Sequence, residues 1–263
     1  MSKGNKKLFL LDAMALIYRA HFAFSKNPRI NSKGLNTGVM LGFTNTLLEI
    51  LEKEKPSHIA VVFDTSAPTF RHVQFEAYKA NRQAQPEDIA VGIPWVKQIV
   101  KAFNIPTLEL DGYEADDIIG TLAKQAEKSS YTVYMMTPDK DYGQLVDEHI
   151  YLYKPAFMGN AVDVMGPKEI CEKWDIENVD QVRDMLGLMG DAVDNIPGIP
   201  GIGAKTAVKL LKQYGTIEEL IKNTDQLKGK QKENVVNFAQ QGILSKELAT
   251  IMIDVPIEYH ADD

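Results

Sequence analysis

The chain has 263 residues, a formal net charge of −7, 44% hydrophobic and 25% charged residues, and a single cysteine, Cys171. That length and mix suit an ordinary globular protein with a sizeable core, and no apolar run approaches the roughly 18 residues that a membrane span requires. One cysteine excludes a disulfide framework and a thiolate metal cluster.

The basic start at residues 1–7 runs directly into a short apolar stretch ending at Asp12. That stretch is too short for a signal-peptide core and has no small-residue cleavage site after it, so a cytoplasmic protein with no membrane partner is expected. Residues 7–12 read as a buried strand; residues 59–64 repeat the pattern and end in Asp64, and residues 131–139 repeat it again and end in Asp139. Helical periodicity over about 37–53, 89–103 and 114–128 separates them. Alternating strands and helices predict an α/β core with a parallel sheet, whose ligands bind at the carboxyl ends of the strands. All three strands deliver an aspartate to that edge.

Between the second strand and the next helix, residues 71–88 are polar, basic and aromatic, with Arg71, His72, Tyr78, Lys79 and Arg82. They read as an excursion over the site rather than core. From about 167 the texture changes to short helices punctuated by Gly and Pro, which sets a domain boundary between 165 and 175. A glycine-rich hairpin follows, with Gly198, Gly201 and Gly203 preceding Lys205 and Thr206, and then a helix over about 204–213.

Further acids come in tight groups. Glu114, Asp116 and Asp117 open a helix, where exposed N–H groups and the dipole favour anions. Asp139 and Asp141 share a face if extended, and Asp191 and Asp194 are neighbours if helical. Each group alone reads more readily as a cap or turn. Five segments converging on one sheet edge point to hard divalent cations, which prefer oxygen ligands. Two of them can activate water and support the leaving oxygen of a phosphodiester. The hairpin's glycines allow backbone N–H groups to approach phosphate next to a helix N-terminus, with Lys205, Lys209 and Lys212 along the helix. It is not a Walker A loop, because the Gly-Lys-Ser/Thr spacing is absent. Tyr18 falls on the helix after Asp12, where it could stack on a base or pack in the core.

Taken together, Asp12 with Tyr18 and Arg19, Phe63-Asp64, Phe70-Arg71, the run from Tyr78 to Arg82, Gly112 to Asp117, Thr137 to Asp141 and Gly190 to Gly203 resemble the 5′-nuclease domain of bacterial DNA polymerase I. That domain belongs to the flap endonuclease superfamily, and the resemblance covers essentially the whole chain. One local departure is the Ala-Met-Ala-Leu-Ile-Tyr after Asp12, where many relatives carry Gly and Ser.

The resemblance implies a PIN-like nuclease core over residues 1–170 with a helical arch at about 71–92. An all-α helix-hairpin-helix (helix-3-turn-helix) DNA-binding domain over 171–263 follows. It implies a structure-specific 5′-3′ exonuclease and flap endonuclease, acting on branched or nicked duplex DNA with a 5′ flap and on RNA primer/DNA hybrids. Asp12, Asp64, Glu114, Asp116, Asp139 and Asp141 would form one metal cluster, with Asp117, Asp191 and Asp194 around a second ion. The ions would be two Mg²⁺ (or Mn²⁺), with K⁺ at the hairpin. Lys79 and Arg82 would engage the scissile phosphate, Tyr18 would stack near the junction, and Arg19 and Arg71 would contact phosphates. A monomer is expected, fused to polymerase domains or free-standing.

The nine candidate acids are enough to account for the whole negative balance, which removes the objection to a polyanion partner. Two other readings stay open on the residues alone. One is a catalytically weak module that binds DNA junctions, which would gain nothing from clustered carboxylates. The other is a metal-dependent phosphatase for small substrates, which would need neither arch nor hairpin.

Overall fold

A computed structural model describes residues 6–156 and 160–258; the basic start at residues 1–5 and the chain end from Tyr259 onward lie outside them. Strands β1 (Lys6–Asp12), β2 (His58–Val62), β3 (Thr107–Leu108), β4 (Tyr131–Met136), β5 (Ile150–Lys154) and β6 (Asp163–Met165) form one sheet in the order β3-β2-β1-β4-β5-β6. Every pairing is parallel except β5 with β6. The helices are α1 (Ala13–Phe24), α2 (Gly38–Lys53), α3 (Phe70–Gln74), α4 (Glu87–Ala102) and α5 (Ala115–Lys128), then α6 (Pro167–Trp174), α7 (Gln181–Met189), α8 (Ala204–Tyr214), α9 (Ile217–Lys222), α10 (Gly229–Asn237) and α11 (Ala239–Ala249). The parallel-sheet core followed by a helical part matches the expected fold class.

Successive side chains of a strand point to opposite faces, so a central strand of a covered sheet is apolar on both. β1 shows this directly. Leu8 and Leu10 join the cluster containing Ile118, Ile119 and Leu122 of α5, whereas Phe9 and Leu11 join that of Leu16, Phe43, Ile89 and Val100 from α1, α2 and α4. Phe9 also stacks on Tyr134 with ring centroids 4.8 Å apart. The chain moves outward from β1 through β2 to β3, then returns to place β4 on the other side of β1. That reversal opens a crevice at the carboxyl ends of β1 and β4, the place where open α/β sheets bind ligands.

The segment expected to arch over the site is helical at its two ends only, in α3 and in the start of α4, with residues 75–86 between them non-helical. Its second helix is a core element, with Ile89, Val96 and Val100 fully buried. The expected domain boundary at 170 falls inside α6, where Ile170 is buried in one apolar cluster with Leu152, Met165 and Val182. That cluster continues through Leu210 and Ile217 to Val255, so the helical part packs onto the sheet's core. Among the described residues no helix is long and apolar enough to cross a membrane.

Candidate active site

Asp12 ends β1 and caps α1, accepting a hydrogen bond from the Ala15 N–H at 3.0 Å through Oδ1. Its Oδ2 accepts from the hydroxyls of Thr137 (3.1 Å) and Tyr142 (3.2 Å). Asp64 follows β2, and its Oδ1 accepts from the Ala115 N–H at the start of α5 (2.9 Å). These acids, with Glu114, Asp116 and Asp139, line a cleft of about 220 Å³ that also holds Tyr18, Lys79 and Arg82. A second cleft of about 440 Å³ holds Asp139, Asp141, Asp191 and Asp194, with Arg82, Lys140, Lys154 and Lys173. Asp139 and Arg82 belong to both. The expected grouping therefore shifts in two respects: Asp141 stands with Asp191 and Asp194 rather than with Asp12, and Asp117 lines neither cleft.

The local geometry of two pairs differs from expectation. Asp139 and Asp141 are not extended; Asp141 opens a 3₁₀ turn, and its N–H donates to Asp139 Oδ1 at 2.9 Å. Asp191 and Asp194 are not on a helix. Residues 191–196 form a turn closed by backbone hydrogen bonds between Asp191 and Ile196, and Asp191 Oδ1 accepts from the Val193 N–H at 2.7 Å. An Asx-type turn brings them together instead.

Burial and the neighbouring Asp64 and Asp139 charges push the Asp12 carboxyl up to about 7. Burial and Asp117 push Asp116 well above the ordinary carboxylate range, and its Oδ1 is buried with no hydrogen-bond partner. Burial and Asp139 push Asp141 to about 6. Asp191 is the exception: burial works against its charge, but the Lys140 ammonium and two turn N–H groups hold it below its usual value. Carboxylates crowded in this way repel and desolvate one another until cations join them. Lysine and arginine fill that role here. Lys79 Nζ lies 2.6 Å from Glu114 Oε1 and 3.7 Å from Asp194, Lys140 Nζ lies 2.9 Å from both Asp141 and Asp191, and Arg82 pairs with Asp194.

The cations of the 75–82 segment are placed by a set of backbone ties. The Lys79 N–H donates to the Asp194 carbonyl at 2.9 Å, Asn81 Nδ2 to the Ala192 carbonyl at 2.7 Å, and Asn195 Nδ2 to the Ala77 carbonyl at 2.6 Å. Lys79 and Asn195 both take left-handed φ, 56° each, a conformation non-glycine residues keep only when the surroundings hold it. Tyr78 is buried against Ile196 and Leu248. The segment beside the site and the loop before the hairpin are thus one unit.

Three expectations are corrected. Arg71 is not a phosphate contact: it is 1% exposed, and all five of its N–H groups are used. Nε donates to the Leu248 carbonyl, Nη1 to Asp117 (2.7 Å) and Glu114 (3.5 Å), and Nη2 to Asp117 (2.7 Å) and the Thr250 carbonyl. Asp117 is not placed to bind a metal: it is fully buried, and besides Arg71 it accepts from the N–H groups of Glu114 and Met252. It turns away from the cleft that Glu114 and Asp116 line. Gly198 does not offer its N–H to phosphate, because that N–H donates to the buried Ser245 hydroxyl at 3.0 Å. Arg19 donates to Thr46 Oγ1 (2.7 Å) and to the Ala156 carbonyl, and is not among the residues lining either acidic cleft.

Gly198 is instead a close-packing residue. Its φ is 61°, and a Cβ there would stand 2.4 Å from the Gly190 nitrogen. Gly198→Ala is expected to cost about 3 kcal/mol or more of stability in chemical denaturation. Gly203→Ala should leave stability almost unchanged, since a Cβ there meets nothing within 4 Å. Gly201 and Gly203 are exposed, no side chain caps the N-terminus of α8, and Lys205 and Lys209 are exposed beside it, with Thr206 half-buried. Tyr18 is half-buried at the cleft wall, one helical turn from the exposed Phe22. Residue patterning alone did not single out Lys140, Tyr142, Lys154 or Lys173. The last two lie on elements with no strand or motif signal strong enough to read.

Two family models meet end to end on this chain. Residues 7–175 match the 5′-3′ exonuclease N-terminal resolvase-like domain, and residues 177–263 match the 5′-3′ exonuclease C-terminal SAM fold. The chain is 44% identical over 255 residues to DNA polymerase I of Bacillus subtilis (strain 168), a match covering 96% of this chain and 28% of that protein. It is 37% identical over 258 residues to a 5′-3′ exonuclease of Aquifex aeolicus (strain VF5), covering 98% of this chain and 86% of that one. Among solved structures, the phage T5 flap endonuclease in a pseudo-enzyme–product complex with DNA and metal ions shares the fold, with a TM-score of 0.74, 22% identity and coverage of 93% and 89%. The chain thus spans less than a third of the polymerase I relative but most of a separate exonuclease. With both family models matched in order over a sheet edge that gathers eight acids, the chain belongs to the 5′-3′ exonuclease family.

Proposed function

We propose that this chain hydrolyses phosphodiesters near 5′ ends at the junction of single-stranded and duplex DNA, removing 5′ flaps and RNA primers with the help of two divalent cations, Mg²⁺ or Mn²⁺. The observation that carries this reading is the pair of clefts sharing Asp139 at the carboxyl edge of the sheet. Among the described residues no three acids already stand as a ready ligand set. The donors nevertheless fit hard cations: they are all oxygens, the buried Asp116 Oδ1 lacks a partner, and the Asp12, Asp116 and Asp141 carboxyls are held above their normal range. Asp12, Asp64, Glu114, Asp116 and Asp139 would hold one ion, and Asp139, Asp141, Asp191 and Asp194 the other. When bound, such ions lower the pKa of water and stabilise developing charge on oxygen.

The chain's own residues supply the rest. Lys79 and Arg82 now lie against Glu114 and Asp194 at the cleft floor, within reach of a phosphate that replaces those carboxylates as partner. Tyr18 and Phe22 offer aromatic faces to an unpaired base. The uncapped start of α8 with Lys205, Thr206 and Lys209 suits a duplex backbone, read without regard to sequence. K⁺ at the hairpin is part of the same proposal: the carbonyls of Gly198, Ile199 and Pro200 each accept one hydrogen bond, from Gln241, Ile202 and Asn234, and keep a second lone pair. We further propose a nuclease part over residues 1–170 and a DNA-binding part over 171–263, working in the cytoplasm as a monomer, in a chain that carries polymerase domains beyond this portion or stands alone.

The test is a 5′-labelled flap duplex incubated with Mg²⁺, with EDTA, and with the Asp139→Ala variant. Release of the labelled flap only with Mg²⁺ and native Asp139 is expected. Binding without cleavage would sink the nuclease reading, and cleavage indifferent to Asp139→Ala would sink the metal assignment.

A further inference from the structure

At the second cleft, two of the four cations are already committed. Arg82 is joined to Asp194 and Lys140 to Asp141 and Asp191. Lys154 and Lys173, which complete the lining, are placed differently. Lys154 is the last residue of β5, which runs parallel to β4 and so emerges at the same sheet edge as Asp139. Lys173 comes from the last turn of α6.

Among the described residues neither lysine forms a salt bridge with a carboxylate. Lys173 Nζ has a thioether contact, Met165 Sδ at 3.9 Å, and a thioether is a weak acceptor. The two side chains line the same cleft; burial first and Lys173 second lower the Lys154 ammonium to about 8, with the charges of Asp163 and Asp139 offsetting part of that. Two ammonium groups facing one cleft repel each other. An anion set between them turns the repulsion into attraction.

We propose that Lys154 and Lys173 form a seat for one backbone phosphate of the bound nucleic acid, next to the phosphate that is cut. The inference rests on the nuclease reading above. A phosphodiester presents two free oxygens, one for each ammonium, and compact point charges suit it without the fork geometry of arginine. The seat contacts backbone and not bases, so it adds affinity and register without sequence preference.

The test compares wild type with Lys154→Gln/Lys173→Gln and with Lys173→Gln alone, measuring binding of a labelled 5′-flap duplex across a salt titration and cleavage at saturating substrate. The double variant should bind about tenfold more weakly near 100 mM salt, with the slope of log K against log salt smaller by about 1 to 2. The single variant, at an exposed position, should lose about threefold. The Lys154→Arg/Lys173→Arg variant should restore binding. Unchanged affinity and salt slope in the double variant would overturn the seat. So would a thermal shift with inorganic phosphate in wild type but not in the variant, if DNA binding were unaffected, because the seat would then take free phosphate. A wild type that neither binds nor cuts the flap would instead overturn the nuclease reading, a result separable from a wild type that cuts while its lysine variant binds equally well.

Discussion

Asp12→Asn should reduce cleavage about a thousandfold or more and at the same time stabilise the metal-free protein. The first effect follows because Asp12 sits at the centre of the shared sheet edge, and removing a charge from a reacting centre costs on that scale. The second follows from linkage. Burial and two neighbouring acids raise the folded-state pKa of Asp12 from 3.8 to about 7. An acid raised in this way contributes stability that is fully present below its unfolded pKa, near 3.8, and is lost as pH rises through about 7. At pH 8 the metal-free wild type has lost that contribution. Asn keeps the cap to Ala15 through its Oδ1, and its Nδ2 donates to the Thr137 and Tyr142 hydroxyl oxygens in place of accepting from them, so removal of the charge should recover about 2 kcal/mol. Thermal unfolding in EDTA at pH 5 and pH 8 measures this: wild type should be more stable at pH 5, and the variant should show a smaller difference between the two. Millimolar Mg²⁺ at pH 8 should raise the wild-type Tm and raise that of the variant less. A variant less stable than wild type at pH 8 would show that Asp12 is a structural acid.

The same crowding explains which parts of the site were legible from residues alone. β1, β2 and β4 announce themselves because a covered parallel strand must be apolar on both faces, and each leads directly into an aspartate. β5 does not, since Tyr151, Tyr153 and Lys154 give Ile150 to Lys154 no clean apolar run, and the loss of that strand hid Lys154. The two-residue β3 is below any sequence signal. Residue types name the acids but not their geometry: the 3₁₀ turn at Asp141 and the Asx turn at Asp191 are set by local side-chain-to-backbone hydrogen bonds, which compete with the regular periods assumed for them. Gly198 shows a related limit. A glycine needed for a close chain crossing and a glycine needed to admit phosphate look identical until Gly190 and Ser245 are seen beside it.

The largest stability effect belongs to Arg71, where residue identity suggested a DNA contact and burial shows a strut. Arg71→Ala should destabilise the protein by about 3–5 kcal/mol, because it leaves the buried Asp117 charge without its partner and orphans the Leu248 and Thr250 carbonyls. Arg71→Lys should fare little better, since an ammonium cannot span the two Asp117 oxygens and both carbonyls at once. Replacing both partners with apolar residues, as in Arg71→Met/Asp117→Leu, should recover only part of the loss, because Asp117 also accepts from the Glu114 and Met252 N–H groups. The damage should be local before it is global. Residues 248–252 are tied to the core by this strut and by Gln144, which donates to the Ala249 carbonyl and accepts from the Ile251 N–H. Hydrogen exchange should therefore speed first over 248–255 and at the start of α5, where Glu114 would lose its fixed place in the cleft. A phosphate-contacting arginine would behave in the opposite way, leaving stability and exchange unchanged while weakening DNA binding and flattening its salt dependence. Chemical denaturation and a salt titration of flap binding on the same Arg71→Ala preparation therefore separate the strut from the contact.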